Sequence, residues 1–135
     1  MSSEHMYADR FLGTFRELES SRPDGPSLHD CVRGKGDPHE EDLVRYLRAG
    51  QVLAATGSAV HDVLSSTKEL IDALRLLTDG EWFWRTDLAH YVERYHVSVD
   101  VRFVEHARLR GWSPPRLSEA EMLRITYAVF PDVAE

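Results

Sequence analysis

The sequence predicts an α+β fold, with about five helices packed on a small antiparallel sheet that contains an Asp79-Gly80 hairpin. Three observations carry that expectation. Apolar residues recur at helical spacing in five stretches, most of them opened or closed by a capping or breaking residue. A short apolar run over 52–56, ended by Gly57, reads as a buried strand. Asp79-Gly80 separates Leu74–Thr78 from Glu81–Trp84, and both central positions of a type I′ turn need a positive φ, which Asp and Gly tolerate. The 135 residues, 42% hydrophobic and 29% charged, suit one hydrophobic core. A single globular domain over 7–135 is therefore expected. Residues 1–6, with Met6 so close to Met1, read as an expression remnant, an alternative start or a flexible terminus.

The elements follow in order. Tyr7, Phe11, Phe15 and Leu18 give a first amphipathic helix. Arg22-Pro23-Asp24-Gly25-Pro26 ends it and begins a loop reaching to about Gly36. Asp37 as cap, Pro38 at the first helical position and Glu40 three residues after the cap open a second helix, with Leu43, Tyr46 and Leu47 inward. Gly50 stands where a left-handed C-terminal residue would close it. From Asp62 to Leu77 helical and alternating patterns overlap, and the Asp79-Gly80 turn decides for strand over 74–78. Trp82 and Trp84 then share one face of the hairpin. Thr86 caps a helix striped by Leu88, Tyr91, Val92 and Tyr95. Ser98 or Asp100 opens the next, which carries Phe103, Val104 and Ala107 and ends at Gly111 and Pro114-Pro115. Ser118 and Glu121 form a capping box for the last.

Charge and cysteine usage exclude several classes. The net charge of −7 has the wrong sign for coating nucleic acid or anionic lipid. Cys31, the single cysteine, forms no internal disulfide and assembles no thiolate zinc site. No apolar run reaches the length of a membrane span and no basic-then-apolar leader opens the chain, so a cytoplasmic location is expected.

Few residues combine into a chemical motif. His90, His96 and His106 are metal-ligand types, but the six-residue spacing of His90 and His96 places them on different helix faces. No metal and no cofactor are expected. Asp87, His90 and Glu93 follow one another at i, i+3 and could form an acid/base group; such spacing more often makes a solvated helix face. Cys31 near His29 lacks a nucleophile setting. Gly34-Lys35-Gly36 lacks the pattern of a phosphate loop. Trp82, Phe83, Trp84, Tyr91, Tyr95 and Trp112 form an aromatic set suited to core packing or, if exposed, to anchoring a partner.

One longer pattern stands out. Tyr46-Leu47-Arg48-Ala49-Gly50 precedes Leu77-Thr78-Asp79-Gly80-Glu81-Trp82-Phe83-Trp84, followed by Asp87-Leu88, Tyr91-Val92 and Tyr95-His96-Val97. This resembles a family of small orphan or immunity-type proteins of GC-rich bacteria, over roughly the middle half of the chain. His90 departs from the tyrosine usual there, and Ser98-Val99 from a usual Leu-Pro. Fourteen arginines against two lysines agree with a GC-rich coding sequence. The resemblance implies that the turn and aromatic positions are folding determinants, and in that family such proteins are sometimes encoded near secreted toxins. It brings no catalytic residue with it.

The expected function is a non-enzymatic protein-binding domain, most concretely an immunity-like inhibitor of a basic partner toxin. Glu81, Asp87, His90 and Glu93 are its expected partner-binding residues, with Trp82, Trp84 and Tyr95 as an aromatic surface or pocket. The alternatives are a small-molecule-binding regulator using that aromatic pocket and a small metal-dependent hydrolase using Asp87, His90, Glu93 or the separated histidines. A homodimer is compatible with all three.

Overall fold

The computed structural model describes residues 9–18 and 21–131. Along the chain these form β1 (Phe11–Leu12), α1 (Leu28–Cys31), α2 (Glu40–Arg48), β2 (Gln51–His61), β3 (Leu70–Thr78), β4 (Phe83–Arg85), α3 (Thr86–Tyr95), α4 (Val101–Leu109) and α5 (Glu119–Val129). The architecture is the expected α+β, five helices with a four-stranded sheet in the order β1-β4-β3-β2. The sheet is mixed. β2, β3 and β4 pair antiparallel, whereas β1 runs parallel to β4.

The expected first helix is replaced by that strand. Tyr7 lies outside the described residues. Phe11 pairs with Phe83 and Leu12 with Trp84, and the Phe11 ring stacks on Phe83 at 4.9 Å. Gly13 then turns the chain at φ +73°. Leu12, Phe15 and Leu18 all reach the core through this irregular path. Burial thus overrides a short helical periodicity that has a glycine in its middle. The loop after it holds one unexpected turn of helix, α1. Glu17 reaches across to it, its carboxylate accepting from the backbone N–H of Leu28 (2.7 Å) and His29 (3.1 Å) and from the Ser27 hydroxyl (2.8 Å).

Three expected start and stop signals act differently. The Asp37 carboxylate pairs with Arg33 instead of capping α2, whose N-cap is His39. Gly50 is not left-handed, and α2 closes at Ala49 with φ −91°. Glycine is needed there because a Cβ would lie 2.5 Å from Trp84 Cζ2 and 3.2 Å from Leu77 Cβ. The Thr86 hydroxyl donates to Ala73 O (2.7 Å) and accepts from Arg75 N (3.1 Å), stitching α3 to β3 in place of a cap. Asp100 does cap α4, and Ser118 and Glu121 complete the capping box of α5.

The strands are longer than expected and their connection differs. β2 runs through Gly57, whose φ of +80° sits where the pairing slips between Ala55 and Ala59, so that glycine marks an irregularity within the strand and not its end. The last pair of the β3–β4 hairpin is Thr78 with Phe83, leaving a four-residue connection instead of a two-residue type I′ turn. Only Gly80 within it takes a positive φ. Asp79 shapes the turn with its side chain, Oδ1 accepting from Glu81 N (3.0 Å) and Trp82 N (2.8 Å).

α2 packs on α3, and α3 lies on β3. The core is aromatic at its centre. Trp82 and Trp84 both meet the Phe103 ring, at 5.5 and 5.4 Å, as does Tyr46 at 5.7 Å. Both indoles are buried, and Trp84 Nε1 donates to Leu47 O at 2.8 Å. No helix of the described residues is long and apolar enough to cross a membrane.

Candidate functional site

The expected site residues do not converge. Asp87 is buried in a two-pronged ion pair with Arg85, both contacts 3.1 Å, at the start of α3. It is a structural anchor and offers no surface to a partner. Glu93 is half exposed and holds Arg48 of α2 at 3.0 Å. His90 turns to Asp62, so three residues of one helix serve three different partners. Glu81 remains exposed beside Arg110 and His106. Trp82 and Trp84 belong to the core, which removes them as exposed anchors; Tyr95 is half-buried. Cys31 is a half-buried free thiol.

Each of the three histidines has its own carboxylate. His96 takes the left-handed conformation that closes α3 (φ 56°), and its Nδ1 meets both oxygens of Glu40 at 2.8 and 2.9 Å. The other two occupy matched polar clusters. At the end of β2, Asp62 is fully buried, and its Oδ1 accepts from Leu64 N (2.9 Å) and Ser65 N (3.1 Å). Its Oδ2 meets the Tyr95 hydroxyl and His90 Nε2, each at 2.7 Å. At the hairpin, Asp79 uses Oδ1 for the turn while Oδ2 meets the Tyr46 hydroxyl at 2.6 Å and His106 Nε2 at 2.9 Å. A buried aspartate, one tyrosine and one histidine therefore pin a turn to the helices at both places.

The electrostatics follow from burial and donors. Burial works to raise the Asp62 carboxyl, but His90, Tyr95 and the Leu64 N–H outweigh it and hold it below the usual carboxylate range. Burial and the neighbouring Asp79 raise Tyr46 far above the usual phenol. Burial likewise pushes Tyr91 up to about 12, against the Val63 N–H that its hydroxyl accepts at 3.0 Å. These groups keep one protonation state near neutrality, which suits structural contacts better than proton transfer.

Two surface features adjoin the Asp62 cluster. A cleft of about 450 Å³ opens between the end of α2, the β2–β3 ribbon and the start of α3; Arg48, Val52, Ile71, Arg75, Leu77 and His90 are among its walls. The expected aromatic trio lines neither this cleft nor the groove over α2 bounded by Glu40, Glu41 and Glu93. Beside the cleft, β2 forms one edge of the sheet. From Gln51 to Val60 it carries no charged residue and no proline, and Val52 is half exposed. Sequence reasoning missed Asp62, whose signal was an apolar run followed by Asp-x-x-Ser, and missed the open edge because β2 was read as ending at Gly57. No family model, curated protein or solved structure matches this chain.

Proposed function

We propose that the chain is a non-enzymatic protein-binding domain that takes an extended segment of a basic partner along the outer edge of β2. One observation carries the reading. An eleven-residue edge strand without a charge or proline over its first ten positions lacks two of the devices by which proteins protect an edge, and keeps only the irregularities of its pairing between Val52 and Ala54, at Gly57 and between Val60 and His61. Unpaired backbone N–H and C=O groups on such an edge pair with an added strand. The net charge of −7 would draw a basic partner and act mainly on its association rate. Inhibition of a partner toxin is the concrete form of this reading.

A second reading is favoured by the adjacent cleft, whose volume of about 450 Å³ falls in the range of small-ligand sites. Its polar lining is Arg48, Arg75, His90, Thr86 and one carboxylate, Asp72, which pairs with Arg75, beside the apolar Val52, Ile71 and Leu77; the excess of cationic groups suits a small amphipathic anion. It differs from the aromatic pocket expected from the sequence.

The test compares the tagged wild type with the doubly charged variant Val52→Lys/Ala55→Lys, both positions being exposed. Each is used to capture partner from native lysate, with thermal melts confirming that the variant is folded. The edge reading expects one basic protein on the wild type, released by salt, and at least tenfold less on the variant. Equal capture on both moves the contact away from β2, and no specific capture on the wild type refutes the reading.

A further inference from the structure

We propose that Asp62, Glu69 and His90 form a binding site for a first-row divalent metal ion, with Zn²⁺ as the type case. The three side chains come from the end of β2, the residue before β3 and the middle of α3, and they bring one imidazole nitrogen and two carboxylate oxygens within 4.8 Å of one another. Among the described residues no other group of three such side chains comes this close.

The matched cluster at the hairpin supplies the comparison. There too a buried aspartate and a histidine meet an exposed glutamate, with Glu81 Oε2 3.6 Å from His106 Nε2. A cation already occupies that position. The Arg110 guanidinium pairs with Glu81 and approaches His106 Nε2 at 3.1 Å, linking two of the three groups. At the Asp62 cluster the corresponding arginine, Arg94, meets Glu69 at 3.4 Å, and no ion pair of the described residues joins it to Asp62 or His90. Two carboxylates and an imidazole thus face one another, and Arg94 reaches only the exposed Glu69 without linking the three, which leaves a charge arrangement that a divalent ion satisfies.

The donor set fixes the class of ion. One imidazole with two carboxylates suits zinc and its first-row neighbours better than calcium or magnesium, which take oxygen ligands, or copper(I), which takes sulfur. Tetrahedral coordination at about 2.0–2.1 Å places ligand atoms about 3.4 Å apart. Glu69 is exposed and supplies the movement needed. His90 Nε2 and Asp62 Oδ2, 2.7 Å apart, open slightly as the hydrogen bond between them is exchanged for metal bonds. Nε2 then binds without its proton, which moves to Nδ1 in the neutral ring or to solvent if the ring was charged. The Tyr95 hydroxyl remains on Asp62 and orients it, as outer partners of ligating carboxylates do. Three protein ligands leave at least one position for water.

The test titrates the full chain with Zn²⁺ by calorimetry and with Co²⁺ by visible absorption, in metal-free buffer without chelating anions. Glu69→Gln, on the exposed ligand, leaves the fold intact, and Glu81→Gln is its matched control at the hairpin cluster. The proposal expects one ion per chain, a cobalt spectrum of a nitrogen- and oxygen-liganded ion, affinity at least tenfold weaker in Glu69→Gln and unchanged in Glu81→Gln, and weaker binding as pH falls through the histidine range. His90→Gln should abolish binding; because it also loosens Asp62, it is interpreted only where its melt is cooperative. Zinc binding of equal affinity in wild type and Glu69→Gln, or none at micromolar concentrations, overturns the proposal.

Discussion

Gly50→Ala tests the account of the core most directly. The added methyl would lie 2.5 Å from Trp84 Cζ2 and 3.2 Å from both Trp84 Cε2 and Leu77 Cβ, where carbon atoms rest at about 3.5–4.0 Å. Something must move by about 1 Å, and the indole has little freedom. It is 1% exposed, packs against Tyr46 and Phe103, and donates Nε1 to Leu47 O at 2.8 Å. Overpacking of this kind costs about 1–3 kcal/mol, and disturbing the hydrogen bond about 1 more. Because Gly50 is not left-handed, alanine gains about 0.4–1 kcal/mol from a less flexible unfolded chain. The expected net loss is about 2–3 kcal/mol, which lowers Tm by on the order of 10 °C for a domain of this size. Gly34→Ala is the control, since nothing lies within 4 Å of its new Cβ, and it should stay within about 0.5 kcal/mol of wild type. Urea unfolding followed by tryptophan fluorescence measures both, with the m-value showing whether the transition remains comparable. A Gly50→Ala protein as stable as wild type would refute the packing described for Trp84.

Three further outcomes are expected. The Glu17 carboxyl, held down to about 2 by Leu28, His29 and Ser27 against the cost of burial, should stabilise the fold above its ordinary value of 4.5 and lose that contribution as pH falls toward 2. Allowing for solvent around it, Glu17→Gln should cost about 1–2 kcal/mol at pH 7 and nothing near pH 2, as read from denaturation at both pH values. Tyr46→Phe removes the 2.6 Å hydrogen bond to Asp79 and should cost about 1–3 kcal/mol in urea unfolding, with little change in far-ultraviolet dichroism. Ser118→Ala should cost the α5 capping box about 1 kcal/mol, seen as faster amide exchange at Glu121.

The parts of the fold that were legible in the sequence were those set by local chemistry. Asp100 and the Ser118–Glu121 box mark helix starts because the partner N–H lies two or three residues away. The stripe Leu88, Tyr91 and Val92 identified α3 because one helix face had to be buried. What stayed hidden depended on distant residues. Phe11–Leu12 is a strand because Phe83–Trp84 offers it an edge, and Gly50 is glycine because an indole 34 positions onward fills the space of a side chain. The polar sites divide in the same way. Asp79 was recognised as a turn residue, since its effect on the backbone is local, but its contacts with Tyr46 and His106 are not. Asp87 and Glu93 share a helix with His90, yet their partners Arg85, Arg48 and Asp62 lie on three other segments, so i, i+3 spacing suggested a group that the fold disperses.

The parallel strand β1 also bears on how the chain assembles during synthesis. Its partner β4 lies roughly seventy residues further along, so β1 leaves the ribosome without anything to pair with. At about 5–20 residues per second the wait is about 4–14 s, long compared with the formation of a local hairpin. Closing so long a loop is entropically unfavourable until the β3–β4 hairpin presents an ordered edge. Until then the nascent sheet leaves bare the side of β4 that β1 covers in the finished protein. Chaperone engagement during translation should concentrate in the interval before Phe11 and Leu12 reach Phe83 and Trp84.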